Sequence, residues 1–357
     1  MAGGRVHVDF GQALVMGDAV AKKEEHHYYS PHVPIPTALH GVPAPPAGFT
    51  GRTDELDVLL KALDPAAHSP VTAVAGLGGV GKTALALHTA HAARERGWFP
   101  GGTLFIDLHG YDPVATTASQ ALQALLRALG TAPKRIPAAA ELDNASSPQQ
   151  VRPLLAGHPA HRTLITSRDV LPQIGAQQIR LRQLTPGASK DLLDHALRTA
   201  DPYDRRITED STASEQLACT CGGLPLALQI CAALLIADPE KPVAELAEEL
   251  ADSSRRIDHL DDGERSVRAV FDLSYRRLPQ DQARLFRLLA ISPGTEVTLN
   301  ALSALAGAPD TPQRLLDALA RTHLVERGTT RSHWRMHDLV RDYAQTVGEC
   351  HESGSVP

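Results

Sequence analysis

One stretch, VTAVAGLGGVGKTALALHTAHAARER at residues 71–96, constrains the fold of this chain more than any other. VTAVAG (71–76) is a short apolar run rich in valine, bounded by Pro70 and a glycine cluster, and predicts a buried strand. From Lys82 to Arg96 an alanine-rich helical spacing follows and stops at Gly97. Between them GLGGVGKT (76–83) matches G-x-x-x-x-G-K-[ST] in the strand–loop–helix setting that gives the pattern its meaning. Gly76, Gly78, Gly79 and Gly81 permit backbone angles closed to other residues and let main-chain amides approach phosphate oxygens. Lys82 places a point charge on the β- and γ-phosphates, and the Thr83 hydroxyl is a candidate Mg²⁺ ligand. Val80 and Ala84 complete the candidate cradle, to which the first helical turn adds its dipole.

The same alternation continues. TLFIDL (103–108) reads as a second strand, SQALQALLRALG (119–130) as a helix with a glycine stop, and HRTLITS (161–167) as a third strand. Strands alternating with helices predict a parallel α/β sheet. After about Thr185 the periodicity is helical, over residues 188–200, 214–221 and 224–237, and again from 267 to 344. Ahead of all this, residues 6–20 suggest a short strand pair, and six prolines from Pro31 to Pro46 favour an extended linker. His26, His27 and His32 read as polar residues of that leader, since no partners complete a metal set. Cys219 and Cys221 likewise read as packing residues.

Composition excludes several classes. Of 357 residues, 43% are apolar and 21% charged, a globular balance, and no apolar run approaches the ~20 residues of a membrane span. The start lacks the basic-then-apolar order of a secretory signal, and four cysteines make no disulfide framework, so a cytoplasmic setting is expected. A net charge of −6 argues against a protein that lives on nucleic-acid backbones.

In the order of its further motifs the chain resembles the NB-ARC family, signal-transducing P-loop ATPases of plant resistance proteins, the apoptosome scaffold and many actinobacterial regulators. FTGR (49–52) resembles the family's nucleotide-edge motif and assigns Arg52 to it. TSR (166–168) is similar to its sensor segment, which implies that Arg168 reaches toward the γ-phosphate. CGGLPLAL (221–228) resembles the motif in which Pro225 packs near adenine, and MHD (336–338) the one whose His337 touches the β-phosphate of ADP. Each has a plainer reading: Arg52 and Arg168 as surface arginines, Gly222 to Pro225 as a helix stop and restart, His337 as a surface histidine. The resemblance spans residues 49–344. It implies a leader (1–47), a P-loop domain (48–185), a helical domain (186–262), a winged-helix domain (263–346) and a tail (347–357).

LDNA (142–145) departs from the pattern. It resembles the segment whose acid, here Asp143, holds Mg²⁺ and serves catalysis, yet it follows RIPAAAE, with Pro137 inside and alanines in place of branched residues. Only 13 positions separate Gly130 from Asp143, where the family places a further helix and a full strand, and Asn144 stands where a second acid would orient water. A weakened strand and weak or lost hydrolysis are therefore expected.

These readings make the chain an ADP/ATP switch with Mg²⁺, engaging a protein partner or its own copies on activation. Two alternatives stay open, a winged-helix DNA-binding transcriptional regulator and a P-loop kinase or hydrolase. Residues 266–343 carry 11 arginines against 8 acids, but the candidate recognition segment TPQRLLDALARTHLV holds only Arg314 and Arg321, too few for a phosphate-tracking face.

Overall fold

The computed structural model describes residues 41–46, 48–112, 114–128, 139–155, 157–158, 160–292, 294, 296–307, 312–330 and 332–352. The expected leader strand pair, His26, His27, His32 and Pro137 lie outside them.

The first block runs α1 (Thr53–Leu63), β1 (Val71–Ala75), α2 (Lys82–Glu95), β2 (Thr103–Asp107), α3 (Ala118–Ala128), β3 (Ala139–Ala145), α4 (Pro148–Val151), β4 (Arg162–Ser167) and β5 (Gln177–Arg180). Its five strands form a parallel sheet in the order β2-β3-β4-β1-β5. Every residue of β1 is buried, as a central strand covered on both faces requires. The period of two divides its side chains: Val71 and Ala73 join Leu104, Ile106, Leu142 and Ile165 in one core, while Val74 joins Leu85 and Leu164 in another. That second core continues without a break into the helices that follow.

The strand expected to be weak is intact. β3 pairs with β2 from Thr103↔Ala139 to Asp107↔Asp143 and with β4 on its other side, so it lies two strands from β1, not beside it. Leu142 and Ala145 are fully buried, and the branched residues of β2 and β4 supply the neighbours that β3 itself lacks. The register shifts between Leu142 and Ala145, where Asn144 adopts φ 52°.

The second block is helical: α5 (Pro186–Ala200), α6 (Arg206–Glu209), α7 (Ser211–Thr220), α8 (Pro225–Ala237), α9 (Val243–Glu249) and α10 (Ser253–His259). Thr185 caps α5 by accepting from the Ala188 amide, and Asp210 does the same for α7. Gly222 and Gly223, at φ 58° and 65°, end α7, and Pro225 opens α8.

The third block runs α11 (Val267–Tyr275), α12 (Gln280–Ile291), β6 (Glu296–Thr298), α13 (Leu299–Ala306), α14 (Pro312–Arg321), β7 (Glu326–Arg327), β8 (His333–Arg335) and α15 (Asp338–Glu352). Its strands pair antiparallel in the order β6-β8-β7. Fully buried Trp334, Tyr343, Phe271 and Phe286 centre its core, with the Phe271 and Tyr343 rings edge-on at 5.7 Å. Among the described residues no helix is long and apolar enough to cross a membrane.

Candidate functional site

The loop from β1 to α2 wraps a cavity of about 300 Å³ lined by residues from all three blocks. Gly79 and Gly81 take φ 77° and 93°, angles that a side chain would strain. The loop is also too closely packed for larger residues. A Cβ on Gly78 would stand 2.6 Å from Val270 Cγ1 of α11, and one on Gly79 would stand 2.9 Å from Leu226 Cβ of α8. Lys82 is buried, and its Nζ donates to the carbonyls of Gly76 (3.0 Å) and Leu77 (2.9 Å). Burial, then the nearby Arg168, push its ammonium down to about 7. A buried cation held only by neutral carbonyls is a seat for an anion.

Thr83 Oγ1 donates to Asp143 Oδ1 at 2.9 Å, and Thr166 Oγ1 donates to the same oxygen. Burial raises the Asp143 carboxyl, and these two hydroxyls oppose the rise. The expected weakening of the Asp143 strand is thus corrected: β3 delivers the carboxylate to the threonine at the start of α2. Asn144, as anticipated, offers no acid. Its Nδ2 donates to Asp143 Oδ2 (3.3 Å) and to both carboxylate oxygens of Asp107 (3.3 and 3.4 Å). Asp107, at the end of β2, is an acid the sequence reading passed over. The Thr83–Asp143 pair is the candidate donor set for a metal ion.

Arg168 lines the cavity, yet its Nη1 donates to the Val270 carbonyl (2.6 Å) and to Ser274 Oγ (3.2 Å), both on α11. Its guanidinium also lies 4.7 Å from the Tyr111 ring centroid, and Arg277 stands 4.8 Å from the same centroid. Tyr111 OH donates among the Ala145 carbonyl, Ser167 Oγ and Asp169 Oδ2, and accepts from the amides of Arg168 (2.8 Å) and Asp169 (3.0 Å). Arg277 reaches back to the Gly110 carbonyl at 3.0 Å. Tyr111, Val270 and Arg277 carry no motif, and only the fold reveals them.

Arg52 is 5% exposed and fully engaged, with Nη2 on the carbonyls of Val80 (3.2 Å) and Arg182 (2.7 Å) and Nη1 on Glu55. It is not a surface arginine; it lines the cavity and braces the loop through the Val80 carbonyl. The turn before α8 is joined to the loop directly, since the Leu226 amide donates to the Gly79 carbonyl at 3.1 Å, and Pro225 and Leu226 line the cavity. Phe49, stacked on His88 with centroids 4.0 Å apart, forms another wall. His337 is not among the lining residues. Its Nε2 bonds the Gly222 carbonyl (2.9 Å) and its Nδ1 accepts from the Leu339 amide (3.2 Å), so this histidine is neutral and ties the start of α15 to the turn before α8. Burial lowers its affinity for a proton, in keeping with that tautomer.

The fold as a whole has a counterpart. A Walker-type ATPase of Pyrococcus abyssi superposes over 82% of this chain and 95% of its own with a TM-score of 0.56 at 14% identity. The chain therefore shares the parallel-sheet α/β fold of that Walker-type ATPase. It is also 37% identical over 337 residues to the regulatory protein AfsR of Streptomyces griseus, covering 88% of this chain. Against regulatory protein AfsR of Streptomyces coelicolor it is 37% identical over 345 residues, again covering 88% of this chain. The chain spans about a third, 34%, of the length of these two relatives. No protein-family model matches the chain.

Proposed function

We propose that this chain is the adenine-nucleotide switch of a regulatory protein of the NB-ARC type, closed in the ADP state and opened by ATP. Similarity to proteins named as regulators supports the regulatory half of the reading. The observation that carries the switch is the double engagement of α11. Val270 packs over Gly78, and its carbonyl holds Arg168 at 2.6 Å. A nucleotide with a γ-phosphate binds best where Arg168 is free to meet it, so it favours the arrangement in which α11 has let go; a diphosphate makes no such demand. The shift is one of populations, driven by differential affinity for two states.

The residues fit a magnesium-bound nucleotide. The glycines leave a cradle that a Cβ would fill, Lys82 has no anionic partner at hydrogen-bond distance among the described residues, and Thr83 with Asp143 is a hard-oxygen donor pair. Magnesium bound by Thr83 and Asp143 would neutralise phosphate charge. Lys82 and the loop amides bind the phosphates, Pro225, Leu226 and Phe49 offer the apolar walls a base requires, and Asn144 supplies no base for water. Hydrolysis is accordingly slow. The helix–strand–helix–helix–hairpin order of α12 to β8 supports a winged helix in the third block, here used to close on the loop. A protein partner or self-assembly would be the output once it opens. The alternative of a DNA-binding regulator fits poorly with the Val170 amide bonding the Arg321 carbonyl at the end of α14 (3.0 Å), which ties this helix to the first block.

Nucleotide-exchange kinetics test the reading. Val270→Gly, which strips the side chain over Gly78, should speed release of a fluorescent ADP analogue while leaving the fold intact. Release unchanged from wild type would remove α11 from the switch.

A further inference from the structure

A second cavity, of about 700 Å³, opens where the end of β5 meets the end of α14 and the β7–β8 hairpin. Five arginines line it: Arg180, Arg182, Arg321, Arg327 and Arg335. Three acids line it too, and each is already engaged. Asp317 accepts from Arg327 (2.8 Å), Glu326 from Arg335 (2.7 Å), and Glu296 from the amide and hydroxyl of Thr329 (3.0 and 2.9 Å). Arg180, Arg182 and Arg321 have no side-chain partner among the described residues. His323 adds a further polar group, because its Nε2 is buried and makes no hydrogen bond. Burial first, then Lys82 and Arg180, push the imidazole down to about 4 against an opposing pull from Glu326. Three guanidiniums without carboxylate partners thus line one cavity, and each carries the planar fork that grips phosphate oxygens two at a time.

We propose that this cavity binds a small ligand carrying two or more phosphate groups, held by Arg180 and Arg182 from the first block and by Arg321 and His323 from the third. The site is separate from the loop cavity but adjoins its support. Leu181, between the two arginines, donates its amide to the Ala75 carbonyl at 2.8 Å, and its own carbonyl stands 2.7 Å from where a Gly76 Cβ would be. The Arg182 carbonyl accepts from Arg52, which also holds Val80. A ligand bridging β5 and α14 therefore holds the first and third blocks together next to the phosphate loop. Its binding is independent of the nucleotide reading; only its effect on nucleotide release rests on that reading.

The probe is inorganic tripolyphosphate, titrated calorimetrically into the full chain saturated with ADP and, separately, into the Lys82→Ala variant, whose loop cavity has lost its cation. The expected result in both is one site, weakened about tenfold or more by each of Arg180→Ala, Arg182→Ala and Arg321→Ala, the loss of a charge-assisted contact. Arg198→Ala, an exposed arginine elsewhere, should leave affinity unchanged. In the wild type tripolyphosphate should also slow ADP release, and in Arg321→Ala it should not. The three target arginines are exposed, so unchanged melting curves will show that the variants fold. Absence of binding in both titrations would overturn the proposal, as would equal weakening by Arg198→Ala. A duplex oligonucleotide that binds through the same three arginines while tripolyphosphate does not would overturn it as well. Failure of ADP itself to bind would leave the Lys82→Ala titration as the deciding measurement.

Discussion

At the scale of single residues, the site divides into groups that announce themselves and groups that do not. Lys82 and Thr83 were legible because a contiguous motif encodes its own geometry: the loop, its glycines and the helix that follows are neighbours in sequence. Tyr111 was invisible, since its partners lie 34 to 58 positions away and the residues around it follow no period. Yet its hydroxyl satisfies the buried amides of Arg168 and Asp169 while its ring sits against two guanidiniums. Tyr111→Phe keeps the ring and strands those amides, and should lower unfolding stability by about 1–3 kcal/mol in a denaturant titration. A variant as stable as wild type would mean that water replaces the hydroxyl without penalty. Gly222 makes the sharper case. Its φ is 58° and a Cβ there would fall 2.4 Å from the His337 ring, so Gly222→Ala should displace α15 from the turn before α8. Loss of stability beyond that of His337→Ala alone is the expected signature.

At the scale of elements, hydrophobic periodicity located β1, α2, β2, α3, β4 and the main helices of the second block. It missed α1, β5 and the short antiparallel strands, whose residues alternate over too few positions to show a period. It also misjudged β3. A strand poor in branched residues was expected to weaken the sheet, but ladders on both sides define it, and sequence shows a strand only its own side chains. With Asp143 in place, the remaining defect is Asn144, an amide that donates toward two carboxylates and cannot take a proton from water. Single-turnover release of γ-labelled phosphate should be slow, close to a Lys82→Ala control; rapid release would reveal a base elsewhere, with Asp107 the first candidate. The turn after α14 carries one of the pH-sensitive groups. His323 is held at about 4 in the folded chain against 6.5 when unfolded, so between those values the unfolded state binds the proton first. Its contribution to stability is complete above pH 6.5 and is lost as pH falls toward 4. Asp342, raised to about 6, works in the opposite sense over part of that range. Comparing wild type with His323→Asn, which tolerates the left-handed φ of 57°, isolates the histidine: the variant should lose less stability between pH 6.5 and 4. Parallel pH profiles would contradict this assignment.

At the scale of the whole molecule, three blocks meet around one loop. The second block bonds it through Leu226, the third covers it with Val270 and holds Arg168, and α15 is pinned to the second block through His337. One expectation changes in kind: His337 reaches the Gly222 carbonyl rather than lining the cavity, so it acts between elements. His337→Ala should accordingly quicken ADP release by loosening α15, and equal release rates would reduce the histidine to local packing. The central claim is that the loop cavity holds an adenine nucleotide and that the closed arrangement prefers the diphosphate. The most direct test is calorimetric titration of the purified, nucleotide-stripped chain with ADP and with a non-hydrolysable ATP analogue, both with Mg²⁺, beside a Lys82→Ala control checked for an unchanged fold. One site is expected, tighter for ADP than for the analogue, with both lost in the control; no heat of binding for either nucleotide, or binding indifferent to Lys82, would contradict that claim.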